Sequence, residues 1–351
     1  MTLARHVGGA LVAAVAVWAL SVSLGSFRDY QMADIAVYVV AIAGLTVLIG
    51  LSGQISLGNG AFMAVGAYAT ALLQMHLNWP LWALFPASAV IAAVFGAAVG
   101  VAAARLRGPY LAGATLMLAV ALPTLATQFP GVFGGDQGLP VTVIPPAALG
   151  AAFPLTRWLA WVNAGTALIV LVLLANLACS RIGRSWQAIR DDETAAALAG
   201  LNVAGLRILA FVVSAACAGL AGAMLAAYSS QVSPGSFTLT LSIALLTGAV
   251  IGGLGSLAGA LWGSLVVVLV PTYVTNVATS HGLSSTVAAN IPVAAYGVVL
   301  IVVILVFPDG IQGGVRRLFG LPPPTAAVPL ARLNSLRRRP PSSEHQEEGT
   351  T

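Results

Sequence analysis

Gln54, Ser56 and Asn59 stand close together in GLSGQISLGNGAF, residues 50–62. Four glycines and several hydrogen-bonding side chains interrupt apolar sequence there. Such amides and hydroxyls can replace water around a polar solute. Irregular backbone at membrane depth is tolerated where protein buries it or water reaches it. Broken helices of this kind line the solute paths of transporters. The same groups also suit a turn that caps the next helix. A second polar station is GRSWQAIRDDE, residues 183–193, with Arg184, Trp186, Arg190, Asp191, Asp192 and Glu193. Good helix formers predict a short helix over 187–199, with Gly200 as its stop. An amphipathic helix outside the bilayer needs a partner for its apolar face. Three consecutive acids favour a protein over anionic lipid. A third station is Asp136 with Gln137, among the glycines of residues 134–139. Asp136 suits a docking protein or an ammonium-bearing solute, and equally a solvated turn. Gly255, Gly259 and Gly263 recur every fourth residue. That spacing offers a neighbouring helix a smooth strip for close packing.

Some chemistries are missing. His6, His76, His281 and His345 are scattered, and Cys179 and Cys217 sit in apolar sequence, so no metal-ligand spacing is present. The apolar segments hold no series of acids, His or Arg of the kind that proton- or voltage-coupled machines use. There is no GxxxxGK[ST] loop, and no lysine anywhere to reach nucleotide phosphates. No cofactor is expected in this chain. The driving energy has to come from elsewhere.

The elements that hold these stations are membrane helices. The chain has 351 residues, of which 59% are hydrophobic and 7% charged. Soluble domains carry about 25% charged residues. Apolar runs near the ~20 residues needed to cross a bilayer recur at 7–27, 32–51, 56–76, 81–104, 109–129, 158–179, 208–229, 238–252, 257–277 and 287–307. The fold class is therefore an all-α polytopic bundle of about ten helices, some discontinuous or re-entrant. The short 238–252 segment is the candidate half-span. The first run is read as an uncleaved helix, since no good small-x-small cleavage site follows it. With the N-terminus in the cytoplasm, thirteen arginines fall inside and only Arg28 and Arg157 outside, a positive-inside bias. Trp79, Trp82, Trp158 and Trp161 then form an outer interfacial belt. Residues 1–320 make the membrane domain, with a cytoplasmic segment at 180–207. Residues 321–351, rich in Pro, Arg, Ser and Glu, read as a disordered cytoplasmic tail. Residues 251–263 echo residues 50–62, which hints at two five-helix repeats.

These stretches together resemble the permease family of branched-chain amino acid ATP-binding-cassette importers, the LivM-type subunit. The family pattern is similar to GLSGQISLGNGAF at 50–62, RLRGPY at 105–110, GGDQGL at 134–139, GRSWQAIRDDE at 183–193, SPGSF at 233–237 and GGLGSLAG at 252–259. The order is kept from about residue 35 to 315. The resemblance implies a transport subunit rather than an enzyme, placed in the bacterial inner membrane with both termini cytoplasmic. It implies a sister permease of LivH type or a second copy, two cytoplasmic ATPases carrying ATP and Mg, and an extracytoplasmic solute-binding protein. Nucleic acid has no part in it. Residues 187–202 would seat in the ATPase. The family often carries His where this chain has Asn59. Related subunits import urea, short amides or other amino acids, and a stand-alone secondary transporter is the other alternative.

Overall fold

The computed structural model describes residues 26–106, 108–143, 154–280 and 310–318, with a few isolated positions between 297 and 305. The spans expected at 7–27 and 287–307, and the tail at 321–351, lie outside this set or almost wholly so. The helices are α1 Ser26–Thr46, α2 Asn59–Leu77, α3 Leu81–Ala103, α4 Pro109–Gln128, α5 Pro130–Phe133, α6 Leu155–Cys179, α7 Arg181–Asp191, α8 Glu193–Leu198, α9 Val203–Ser229, α10 Leu239–Gly252, α11 Gly259–Ser280 and α12 Gly310–Leu318. Among the described residues, eight helices are long and apolar enough to cross a bilayer. The protein is a multi-pass α-helical membrane protein. A two-stranded ladder, β1 Leu139–Pro140 with β2 Gln231–Val232, pairs Leu139 with Val232 at one end.

Burial sorts the spans. α1 and α9 bury 72% and 61% of their apolar windows, whereas α4 buries 22% and α6 28%. Together with α2, also 61% buried, the first pair forms the centre; α4 and α6 present Met117, Ile169 and Leu173 outward, as a lipid-facing surface requires. Without a hydrophobic drive between helices in lipid, close approach of backbones holds the centre together. A Cβ on Gly66 of α2 would lie 2.0 Å from the Gly219 carbonyl oxygen of α9. One on Gly222 would lie 1.9 Å from the Met63 carbonyl oxygen. Near one end Arg157 of α6 donates to Asp29 of α1 at 3.3 Å, with Asp29 1% exposed.

Three expectations change. The glycine strip exists, but Gly255 is outside it. Gly259 and Gly263 pack on Gly252 and Gly248 of α10, while Gly255 sits in the turn before α11 with nothing within 4 Å of its Cβ position. The 238–252 segment is a 14-residue helix entered through a 3-10 turn, Pro234–Phe237. Turn and helix together give a 19-residue span. The single helix expected at 187–199 is two. α7 begins earlier, where Ser180 Oγ accepts from Gly183 N–H. It ends at Asp192, whose extended backbone starts α8 and whose carboxylate accepts from Ala195 N–H at 3.0 Å. A capping acid inside a run of helix formers breaks the helix it was expected to extend. Gly200 does end α8: at φ +86° it turns the chain so that Leu201 N–H reaches Ala196 O and Gly200 N–H reaches Ala197 O.

Two measurements check this packing. Gly66→Val forces a side chain onto backbone and should cost about 1–3 kcal/mol, lowering the Tm in detergent, whereas Gly113→Ala, which faces open space, should not. Asp192→Ala should cost α8 about 1 kcal/mol and speed amide exchange across Glu193–Leu198, with Asp192→Asn restoring protection.

Candidate functional site: a broken helix tied to a polar segment

α1 does not end cleanly. Its last turn widens into a π-helix, Val47–Leu51, a local insertion that often marks functional positions. Ser52 Oγ donates back to Leu48 O at 2.7 Å. Gln54 N–H is drawn to Leu48 O, not to Gly50 O, its regular helical partner. Gly53 then takes φ +72° and the chain turns inward. Residues 53–58 run without helix until α2 begins at Asn59.

The polar side chains of the break are buried, although Gly53 and Ile55 are exposed, and three other helices hold it. Gln54 is 4% exposed; its Nε2 donates to Ser52 Oγ at 2.9 Å and to Arg207 O of α9 at 3.3 Å. Ser56 Oγ accepts from Gly58 N–H at 3.3 Å. Leu57 N–H donates to Thr115 Oγ1 of α4 at 3.0 Å, and Gly60 N–H to Ser242 Oγ of α10 at 3.1 Å. Gly58 is needed here: a Cβ would sit 3.0 Å from Thr115 O. Asn59 is 1% exposed, and neither its amide nitrogen nor its amide oxygen has a partner among the described residues. Gln54 Oε1 is likewise unpaired. Unpaired buried amide atoms cost about 1–3 kcal/mol each. Gln54, Ser56 and Asn59 are all buried at the break, and no hydrogen bond joins their side chains to one another among the described residues. Thr115, Ser242 and Arg207 were missed. Thr and Ser in apolar helices usually bond their own preceding turn, as Thr115 also does with Leu111 O, so nothing in the sequence marked them.

The polar segment lies directly beneath. Arg190 Nη1 donates to Gly50 O at 2.6 Å, and Arg190 Nε and Nη2 hold Asp191 at 3.2 and 3.0 Å. Glu193 pairs with Arg207 at 2.8 Å. Trp186 is fully buried, and its Nε1 donates to Leu206 O at 2.8 Å. Ile189 and Ala196 are buried too. The apolar face expected to seek a partner is therefore covered by this chain, because α7 folds back onto the start of α9. The residues that α7, α8 and the joint between them expose include Arg184, Asp191, Asp192 and Leu198, the last 85% exposed.

The opposite end carries the third station. Gly134, Gly135 and Gly138 all have positive φ, and the 3-10 turn between them exposes Asp136 and Gln137. Gln231 Nε2 donates to Gln137 O. Between this end and the break a half-open groove of about 480 Å³ runs along α2 and α4. Its wall is almost wholly apolar, with Val65, Leu72, Leu122, Phe129 and Phe133. Tyr68 lines it and is 6% exposed, with a hydroxyl that has no partner among the described residues.

Comparison with known proteins places this arrangement. Residues 28–308 match the family described as branched-chain amino acid transport system / permease component. The chain is 35% identical over 270 residues to the high-affinity branched-chain amino acid transport system permease protein LivM of Salmonella typhimurium, covering 70% of this chain and 62% of that protein. It is 35% identical to LivM of Escherichia coli K12 with the same coverage. It is 27% identical over 292 residues to the Escherichia coli K12 permease protein LivH, covering 79% and 91%. The match thus spans under two thirds of the LivM proteins' length. No solved structure matches. The chain belongs to the permease-component family of branched-chain amino acid transport systems.

Proposed function

We propose that this protein is the membrane subunit of an ATP-driven importer, and that it passes branched-chain amino acids inward by alternating access. The observation that carries this reading is the pair of links between the break and the segment beneath it. Arg190 holds Gly50 O, and Gln54 holds the carbonyl of Arg207, whose guanidinium holds Glu193. A push on α7 and α8 reaches the break through hydrogen bonds to charged or buried groups. ATP and its Mg belong to cytoplasmic partner ATPases seated on Arg184, Asp191, Asp192 and Leu198. Trp186 and Arg190 transmit the motion from inside the chain. A sister permease or a second copy completes the path, and an extracytoplasmic binding protein delivers solute near Asp136 and Gln137. The arginine-rich end then faces the cytoplasm of the bacterial inner membrane.

Gln54, Ser56 and Asn59 meet the polar end of the solute. The apolar groove beside Tyr68 suits an aliphatic side chain better than it suits urea or a short amide, which have no such body to bury.

Two substitutions separate path from frame. Arg190→Gln removes a charged hydrogen bond worth about 1.5–3 kcal/mol, so uptake should fall about tenfold or more while membrane insertion persists. Normal uptake in that variant removes the linkage. Asn59→Leu removes two unpaired buried atoms, so the Tm should hold or rise. Its uptake of radiolabelled leucine should nevertheless fall about tenfold or more; unchanged uptake would take Asn59 out of the path.

A further inference from the structure

The break at 52–58 has a counterpart at the other end of the bundle. Residues 52–58 read SGQISLG and residues 229–235 read SSQVSPG. The local geometry repeats as well. Ser52 Oγ donates to Leu48 O at 2.7 Å, and Ser229 Oγ to Leu225 O at 2.9 Å, each four residues back. The next residue is left-handed in both, Gly53 at φ +72° and Ser230 at φ +56°. Ser230 is one of only two non-glycine residues with positive φ among those described. Each segment follows a central helix, α1 or α9, and leads into the next span, α2 or α10.

The packing repeats in the same sense. α9 lies against α2 and α3, and α1 lies against α10 and α11. Exchanging α1 with α9, α2 with α10 and α3 with α11 turns one set of contacts into the other. Two contacts follow this exchange. Gly60 meets Ser242, 182 positions later; the same step leads from Gly66 to Gly248. Gly66 packs on Gly219 of α9, and Gly248 packs on Ile42 of α1. Ile42 and Gly219 stand as far before their own breaks as each other. The step between copies is 177 up to and across the breaks and 182 beyond them; with that step Gly60 and Ser242 are counterparts that meet each other, as a two-fold axis between the halves requires. The echo expected at 251–263 is not this repeat. That stretch shares an end with the first break, since a Cβ on Gly50 would lie 1.7 Å from Leu254 O, whereas an inverted copy has to lie at the opposite end.

The two copies differ in one respect. The serines and glutamine of the first break, Ser52, Gln54 and Ser56, are at most 4% exposed, whereas their counterparts Ser229 and Gln231 are exposed and Ser233 is half-buried; Gly53 and Ser230 are exposed in both copies, and Ile55 is exposed where Val232 is buried. We infer that α1–α3 and α9–α11 are two inverted copies of one unit, and that 229–235 is a second gate of the path whose first gate is 52–58. Gln231 and Ser233 are the outer counterparts of Gln54 and Ser56. They offer the same amide and hydroxyl to the polar end of an incoming zwitterionic solute. The first gate is shut here and the second is open. Motion of the segment beneath the first gate exchanges the two states, which rests on the importer reading above.

Single cysteines test this in a Cys179→Ser, Cys217→Ala background, in cells expressing the whole importer. Ser52→Cys and Ser229→Cys are near-isosteric reporters, with Ser56→Cys and Ser233→Cys as a second pair. The rate of labelling by membrane-permeant N-ethylmaleimide is read in energy-depleted and energised cells, with branched-chain amino acid uptake measured alongside. In depleted cells the 229 and 233 sites should label about tenfold faster than their partners, about 1.4 kcal/mol in accessibility. On energising, one pair member should speed up as the other slows. Labelling that moves together, or not at all, in cells with intact uptake overturns the two gates and leaves the importer standing. Reciprocal labelling without branched-chain amino acid uptake keeps the gates and overturns the solute.

Discussion

Every peptide group in a bilayer must find its partner inside the protein, and at Gly50 a helix cannot supply one. The π turn takes Gln54 N–H to Leu48 O, so the Gly50 carbonyl is met by the Arg190 guanidinium at 2.6 Å. That bond satisfies the break, and it also ties the membrane helix to the segment outside it. A regular helix at this point would have needed no such partner. The interruption and the linkage are therefore one feature seen from two sides.

The same constraint explains the other ties. Leu57 and Gly60 present N–H groups that no helix caps, and Thr115 and Ser242 accept them from neighbouring spans. Each bond draws a different helix onto the break: α4, α10 and, through Arg207 O, α9. The chain can interrupt a helix at depth only by gathering other helices around the interruption. Asn59 stands apart, 1% exposed and with neither amide atom partnered among the described residues. A purely structural residue would be better apolar there.

The two breaks give this a symmetric form. Lipid sets no preference for which end of a helix is interrupted, so an inverted copy satisfies the same rules at the other end. Small residues at Gly66, Gly219 and Gly248 let the halves cross closely. The copies are not in the same state: Gln54 of one is buried at the arginine-rich segment, whereas Gln231 of the other is exposed beside the glycine-rich turn at Asp136.

The amino-acid sequence by itself determined the membrane class, the approximate position of eight described spans and the likeness to the permease family. Long apolar runs carry that information locally, since a bilayer crossing depends on length and composition alone. It also marked Gln54, Ser56 and Asn59, because polar residues in apolar sequence stand out. Only the tertiary structure decided that Trp186 and Arg190 face into the chain, that Gly255 lies off the packing strip and that Asp192 divides one helix into two. It alone brought Thr115, Ser242 and Arg207 to the break. Those partners lie between 58 and 182 residues away along the chain, and a hydroxyl on an apolar helix looks the same in sequence whether it bonds its own turn or another's.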